Sequence, residues 1–333
     1  MDPFTQGLLG ASFASSFSKN KNRKVKALCG AVGGMAPDLD VLIYSVNDPL
    51  LFLEYHRHFT HSIFFVPFGG ILVSIFLYCF FRNIISFKNI FLFSTLGFLT
   101  HGLLDACTSY GTILFWPFFN HRVAWNIISI IDPIFTIILL TFLILYFLRK
   151  SIFVMRIGVI ISFFYLILGV VKYQQVKNYM LNISNLREHK LERLLLNPTF
   201  GNNFLWRSVY QSDNYYYVDA VYMPLFSDSI FKEGVKIKVI DKETVFPELT
   251  QSSIQRNDIK RFSFFSQDFI YLHPNYENVI ADLRYGTLPY DSNSLWGIKI
   301  DIDNKDQHVS FKNLRNFNSK NYKEFWLMLN GAF

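Results

Sequence analysis

Residues 90–107 read IFLFSTLGFLTHGLLDAC. A hydrocarbon core of about 30 Å is crossed by roughly 20 apolar residues in a helix, so the run is long and apolar enough to enter a membrane. It nevertheless carries His101 and Asp105, four positions apart and therefore on one helical face, where both can address one centre. An imidazole or carboxylate in hydrocarbon costs a few kcal/mol, so such residues face a bundle interior or an aqueous cavity and mark function.

The rest of the chain has the same character. It has 333 residues, of which 51% are hydrophobic, 18% aromatic and only 17% charged, and 37 are Phe. That excludes an ordinary soluble protein. The long apolar runs lie in residues 1–175, whereas residues 176–333 are mixed polar and aromatic, so two domains are expected: a transmembrane helical one and a soluble one. Cys29, Cys79 and Cys107 lie in the apolar half without a CxxC pair, which indicates neither a thiolate zinc site nor a disulfide framework.

Four stretches qualify as spans, about 62–81, 90–107, 128–148 and 152–171, and two weaker ones precede them, about 4–18 and 27–46. The first is no signal peptide, because its basic cluster at 19–26 follows the apolar run. Lys and Arg gather at 19–26, at Arg82 and Lys88, and at Arg149 and Lys150, and these turns alternate. If they face the cytoplasm, the turns at 47–61 and 108–127 face outward, as does everything after about residue 172. The formal charge of +7 then reflects topology signals and contact with anionic membrane lipid. No nucleic-acid motif is present, and no nucleic-acid partner is expected.

On that topology the polar residues within the apolar half share one membrane face. Asp38 and Asp40 follow Gly33, Gly34 and Pro37; His56, His58 and His61 lie in EYHRHFTHS; His101 and Asp105 lie near the end of their span; Asp132 opens the next. Asp38 and Asp40 would splay on a regular helix, but after a break at Pro37 both can converge on one ion or bridge two. Imidazole and carboxylate without thiolate suit Zn, Mn or Fe, and five or six such ligands exceed what one tetrahedral ion needs, so a centre of two ions is open. Zn and Mn are the preferred metals. Arg57 is a candidate to steady developing negative charge, and Asp132 a candidate to take a proton. Simpler readings stand beside these. Asp132 ahead of Pro133 equally makes a helix cap, Thr60 or Ser62 reads as a cap, and His101 with Asp105 could be a buried pair between helices.

In order along the chain, MDPFTQGLLG, GGMAPDLDVL, YHRHFTHSIFF, GFLTHGLLDACTSYGT, LFWPF and IIDPIFT resemble the YdjM type of membrane-bound metal-dependent hydrolases, a LexA-regulated inner-membrane family. The resemblance continues more weakly at NPTFGNNFLWRSVY and VIADLRYG. It implies a metal site at Asp38, Asp40, His56, His61, His101 and Asp105, with Asp132 a further candidate, and residence in the bacterial cytoplasmic (inner) membrane. The family's opening motif commonly reads Thr-His, whereas this chain has Thr5 and Gln6. Gln is a poor transition-metal ligand, so either it supports a ligand or the site is altered. A more distant similarity to zinc-dependent phospholipase C proteins suggests a phosphoester or lipid-linked substrate.

In the second domain LWRSVY, NYYYVDAVYM, VKIKVI, FSFFS, DFIYLHP, NVIADLRYG and LWGIKIDI read as strands of a mostly antiparallel sheet, and NYKEFWLMLNG as a helix. Residues 172–193 are expected to continue the last span as a helix. Arg207 and Arg284 are candidates for an anion contact. The expected architecture is a multi-pass α-helical membrane bundle, residues 1–175, with a C-terminal soluble α+β domain, residues 176–333, outside the cytoplasm. Its expected activity is metal-dependent hydrolysis; the competing reading is a noncatalytic metal-bound membrane scaffold or transporter.

Overall fold

The computed structural model describes residues 1–18 and 21–333; Lys19 and Asn20, the start of the basic cluster at 19–26, lie outside the described residues. The chain divides into two compact units. One comprises Met1–Leu42, Tyr55–Val171 and Phe200–Asn202, and the other Ile43–Glu54, Lys172–Thr199 and Asn203–Phe333.

The first unit is helical. Helix α1 (Pro3–Ser15) begins with Pro3 in its first turn, and the Asp2 side chain accepts the Thr5 N–H at 2.9 Å. Proline loses nothing there and the carboxylate satisfies an orphan donor. Helix α2 (Arg23–Met35) gives way to a 3-10 turn, Ala36–Leu42, where Pro37 lacks the N–H that an α-helix would use. Helix α3 (Leu51–Tyr55) is short and belongs to the second unit up to Glu54; α4 (Val66–Phe81), α5 (Phe87–Cys107), α6 (Pro133–Arg149) and α7 (Ile152–Leu186) follow, the last passing into the second unit after Val171.

Length decides which of these can cross a bilayer. Helix α5 has 21 residues and α7 has 35; both are long and apolar enough, and a third span results if Leu51–His61 and Val66–Phe81 form one broken span. Helices α1 and α2, with 13 residues each, are only about 20 Å long. The expected span at 27–46 is therefore not a membrane-length helix, and that at 4–18 is a short one. The span expected at 128–148 starts only at Pro133, with Asp132 as its N-cap, and α6 has 17 residues. Among the described residues the structure thus carries two or three candidate spans, fewer than the sequence pattern suggests. Beyond residue 171, α7 continues unbroken to Leu186.

Small residues let α1, α2 and α5 approach backbone to backbone. A Cβ on Gly97 would lie 2.0 Å from the Gly30 carbonyl oxygen, and one on Gly30 would lie 2.5 Å from the Gly10 carbonyl oxygen. Without a hydrophobic force between helices in lipid, such close packing is a main source of association.

In the second unit, β1 (Arg193–Pro198), β2 (Leu205–Ser212), β3 (Tyr215–Tyr222) and β4 (Ile230–Lys238) form an antiparallel sheet in that order. Strands β5 (Ile270–Leu272), β6 (Val279–Asp282), β7 (Trp296–Lys299) and β8 (Ser310–Asn313) form a second. Successive strand residues point to opposite faces. Hence Leu196 and Tyr210 pack with Val176 and Met180 of α7, while Leu195 and Val209 pack with Tyr271, Val279 and Ala281 of the second sheet. Helix, sheet and sheet form three layers.

The FSFFS segment, expected as a strand, instead lies at the end of helix α8 (Ile254–Phe265). Ser253 caps the helix by accepting the Arg256 N–H, and the buried Ile259, Phe262 and Phe265 recur every three residues, a helical spacing that the run of three aromatic letters obscures. Helix α9 (Ser319–Leu329) forms where NYKEFWLMLNG predicts one, capped by Asn318.

Replacing Gly97 with Ala drives a methyl group into the Gly30 carbonyl, and the expected cost is about 1–3 kcal/mol. Thermal unfolding of the detergent-purified chain reads this directly; an unchanged midpoint would mean that α2 and α5 separate without penalty.

Candidate metal centre

Three backbone devices bring the polar residues of the first unit together. The 3-10 turn after α2 presents Asp38 and Asp40, a second 3-10 turn, Phe59–His61, presents His61, and the last two turns of α5 carry His101 and Asp105. The approach is close: a Cβ on Gly102 would sit 2.1 Å from the His61 carbonyl oxygen. Arg57, in the left-handed region at φ 64°, turns the chain so that its N–H donates to Asp40 Oδ2 at 2.8 Å while its carbonyl accepts from Ile113.

Asp38, His61, His101 and Asp105 each offer one ligand atom to a common centre. His61 Nε2 is 2.8 Å from His101 Nε2, 3.1 Å from Asp105 Oδ2 and 3.5 Å from Asp38 Oδ1. His101 Nε2 lies 3.4 Å from Asp38 Oδ1 and 3.4 Å from Asp105 Oδ2. A tetrahedron with ligands at about 2.0–2.1 Å has edges of about 3.3 Å, so these separations are those of donors around one ion. The tautomers agree. His101 Nδ1 is 2.6 Å from the Gly34 carbonyl, which can only accept, so Nδ1 carries the proton and Nε2 presents its lone pair to the cluster. The four-donor group fits a divalent cation.

A second group, Asp38, Asp40 and His56, shares Asp38 with the first. Asp40 Oδ1 is 2.8 Å from His56 Nδ1. Its Oδ2 accepts from the Arg57 N–H and the Thr60 hydroxyl and lies 3.2 Å from His61 Nδ1, so one carboxylate both faces the second group and orients a ligand of the first. The His61, His101 and Asp105 side chains are fully buried, whereas Asp38 keeps 14% and His56 20% of its side-chain surface.

Buried negative charge in this region has an internal counter-ion. Arg57 Nε is 3.1 Å from Asp105 Oδ2, its Nη1 donates to Thr108, and its guanidinium stacks on Tyr110 at 4.7 Å. Gln6, fully buried, donates from Nε2 to Asp105 Oδ1 at 2.9 Å, and the Met1 amino group meets the same oxygen. Of the two readings open for Gln6, its geometry matches the one in which it supports a ligand.

A family model described as YdjM inner membrane protein matches residues 1–176, more than half of the chain and the whole of this cluster. The chain belongs to the YdjM family. It is also 33% identical over 101 residues to the uncharacterized protein YfhP of Bacillus subtilis (strain 168), a match covering 30% of each chain. No solved structure matches. Family and apolar helices together place this YdjM-family chain in a membrane.

Not every residue singled out in the sequence joins the cluster. The Asp132 carboxylate accepts the Phe135 N–H at 3.0 Å and the Tyr165 hydroxyl at 2.8 Å, and it belongs to none of the described groups able to share an ion. Its observed role is that of helix cap. Ser62 donates to the Trp116 carbonyl and Thr60 to Asp40, so neither hydroxyl is presented as a nucleophile. In the second unit, Arg207 donates to the carbonyls of Leu283, Leu288, Pro289 and Asp291, and Arg284 pairs with Asp282; both are buried and engaged, which removes them as anion contacts. Sequence reasoning missed the Gly34 carbonyl, because a backbone atom leaves no side-chain signal.

A third group, Asp48, Asp258 and His308, lies wholly in the second unit. Arg261 already supplies its cation, 2.8 Å from Asp48, 2.9 Å from Asp258 and 2.8 Å from Glu54. Burial opposes the charge on Asp48, but the hydrogen bonds from Arg261 and the Leu50 N–H, together with the neighbouring positive charge, outweigh it and hold the carboxyl below the usual range.

His101→Ala or Asp105→Ala should weaken metal binding by at least the 10–100-fold that loss of a ligand's supporting partner costs. Asp132→Ala should keep full metal content and lose only about 1 kcal/mol of stability through its cap. Elemental analysis of the three purified variants separates these outcomes, and full occupancy without His101 and Asp105 would reduce the cluster to a buried ion-pair network.

Proposed function

We propose that this YdjM-family protein is a multi-pass membrane-bound metal-dependent hydrolase acting on a phosphoester or lipid-linked ester at the outer membrane interface. The observation that carries the reading is the pairing of two donor groups through Asp38, one with four donors of which three are fully buried and one with three donors and partial exposure. A four-donor tetrahedral site is closed, whereas three protein ligands leave a position for water or substrate.

Asp38, His61, His101 and Asp105 would hold one ion, and Asp38, Asp40 and His56 a second. Zn or Mn bound there would polarise a scissile oxygen and lower the pKa of water. The chain's own residues do the rest. Gln6 and Arg57 hold Asp105 in place, the Gly34 carbonyl fixes the His101 tautomer, and Asp40 fixes the His61 ring. Because Arg57 is committed to Asp105 and Thr108, it acts by balancing the carboxylates of the cluster. Asp38 and His56, which alone keep appreciable surface in the two groups, are the residues a substrate oxygen would meet. Phosphoesters are preferred over carboxylic esters because paired ions suit in-line displacement at phosphorus.

The closed character of the four-donor group favours a second reading, a noncatalytic metal-bound scaffold in which the ion ties α2, α5 and the intervening turns together. Asp38→Asn separates the two. For a hydrolase, the detergent-purified chain supplied with Zn or Mn should release phosphate or a phospho-headgroup from a lipid or soluble phosphoester, and the variant, keeping its shape but not its charge, should lose about 100-fold or more of that release. No turnover above the variant across phosphoesters and carboxylic esters, with metal still bound to the wild-type chain, would leave the scaffold.

The basic turns at Arg82 with Lys88 and at Arg149 with Lys150 support a C-terminal unit outside the cytoplasm. A reporter active only in the cytoplasm, fused after Phe333, should stay dark; a strong signal would reverse the orientation and move the site to the cytoplasmic face.

A further inference from the structure

The β3–β4 connection, residues 223–229, reads MPLFSDS and exposes two large apolar side chains in succession, Leu225 at 49% and Phe226 at 98%. An isolated exposed apolar residue needs no explanation, but a Phe standing almost wholly clear of its own fold forgoes the stabilisation that burial would give it. What distinguishes this loop is where it is tied. The Pro224 carbonyl accepts a hydrogen bond of 2.7 Å from Lys172 Nζ, and Lys172 is itself only 2% exposed.

Lys172 has a defined place on α7. The helix runs apolar from Ile152 to Val171, interrupted by Arg156, whose Nε donates to the Ser16 carbonyl. Those 20 residues span about 30 Å, the thickness of the hydrocarbon core, and Lys172 is the next residue. Phe163, Phe164, Val170 and Val171 along this run are exposed, as a lipid-facing surface requires. A carbonyl bonded to the ammonium of Lys172 is therefore held near the point where α7 leaves hydrocarbon, and Leu225 and Phe226 follow that carbonyl directly in the chain. Ser227 and Asp228 then return the chain to a polar sequence ahead of β4. Large apolar and aromatic side chains at that depth gain by entering the boundary between acyl chains and headgroups, which is where interfacial anchors lie.

We propose that the β3–β4 loop is a membrane-inserting anchor: Leu225 and Phe226 dip into the interface of the same bilayer that α7 crosses, with the Lys172–Pro224 hydrogen bond setting their depth. The inference rests on α7 spanning the membrane and is independent of any catalytic activity. Its partner is the lipid interface, and its effect is to give the second unit a point of membrane attachment besides α7.

The test uses the full chain carrying the photoreactive amino acid benzoylphenylalanine at position 226, reconstituted into vesicles of phosphatidylcholine and phosphatidylglycerol. The same replacement at Phe163, on the apolar run of α7, serves as the internal standard. Irradiation followed by mass spectrometry should find lipid adducts at both positions in comparable yield. Adducts at 163 without adducts at 226 or 225 would overturn the anchor while leaving α7 in the membrane. A cross-link from 226 to a second copy of the chain in place of lipid would overturn it as well, and would make the loop a contact between protomers. A second substitution guards against a local disturbance at 226: moving the photoreactive residue to position 225 should also give lipid adducts, and failure at both positions excludes insertion.

Discussion

Everything in the first unit is subordinate to keeping two fully buried imidazoles and a fully buried carboxylate within about 3 Å of one another among apolar helices. Charged groups in such surroundings are tolerated only when paired and hydrogen-bonded or when they hold a metal. Here each is tethered on its far side. His101 is held by a backbone carbonyl, His61 by Asp40, and Asp105 through Oδ1 by Gln6, while Arg57 balances the charge at the cluster-facing Oδ2. With those outer atoms committed, the inner atoms can only face one another, and the group acquires the separations of ligands around a common ion.

That arrangement demands helices closer than ordinary side chains permit. The Gly34 carbonyl can reach His101 because Gly30 and Gly97 let the backbones of α2 and α5 touch, and His61 can reach the cluster because Gly102 admits its carbonyl against α5. Short helices serve this geometry better than full spans. Helices α1 and α2 end after 13 residues, and the 3-10 turn that follows α2 places Asp38 and Asp40 where a continued α-helix would have splayed them. The shortfall of membrane-length helices and the construction of the site thus have one cause.

The second unit obeys a different rule. Alternation along β1 and β2 divides their apolar residues between the α7 face and the face of the second sheet, so a single sheet is covered on both sides. Its charges are internal as well: Arg207 is saturated by carbonyls, and Arg261 neutralises Asp48, Glu54 and Asp258. These arginines bind the unit together from within, which is why residues that in sequence resemble anion-binding candidates are not presented to a ligand.

Sequence alone determined the membrane character, the distinction between an apolar half and a mixed half, the family, and the residue types of the site. Each of these follows from composition, from runs longer than a bilayer requires, or from motifs in order, and none depends on a distant contact. His101 and Asp105 were legible as partners because four positions on a helix impose a shared face. Tertiary structure decided the rest. Only packing could separate the two roles of Asp40, assign Gln6 to the support of Asp105, place Asp132 at a helix cap outside the described donor groups, or make FSFFS helical, since each outcome turns on which atom from elsewhere in the chain arrives within hydrogen-bonding or van der Waals distance. The span count changed for a related reason: hydropathy records how apolar a segment is, whereas where a helix stops or starts is set by Pro37, by Asp132 with Pro133, and by the buried polar groups that the backbone must turn to reach.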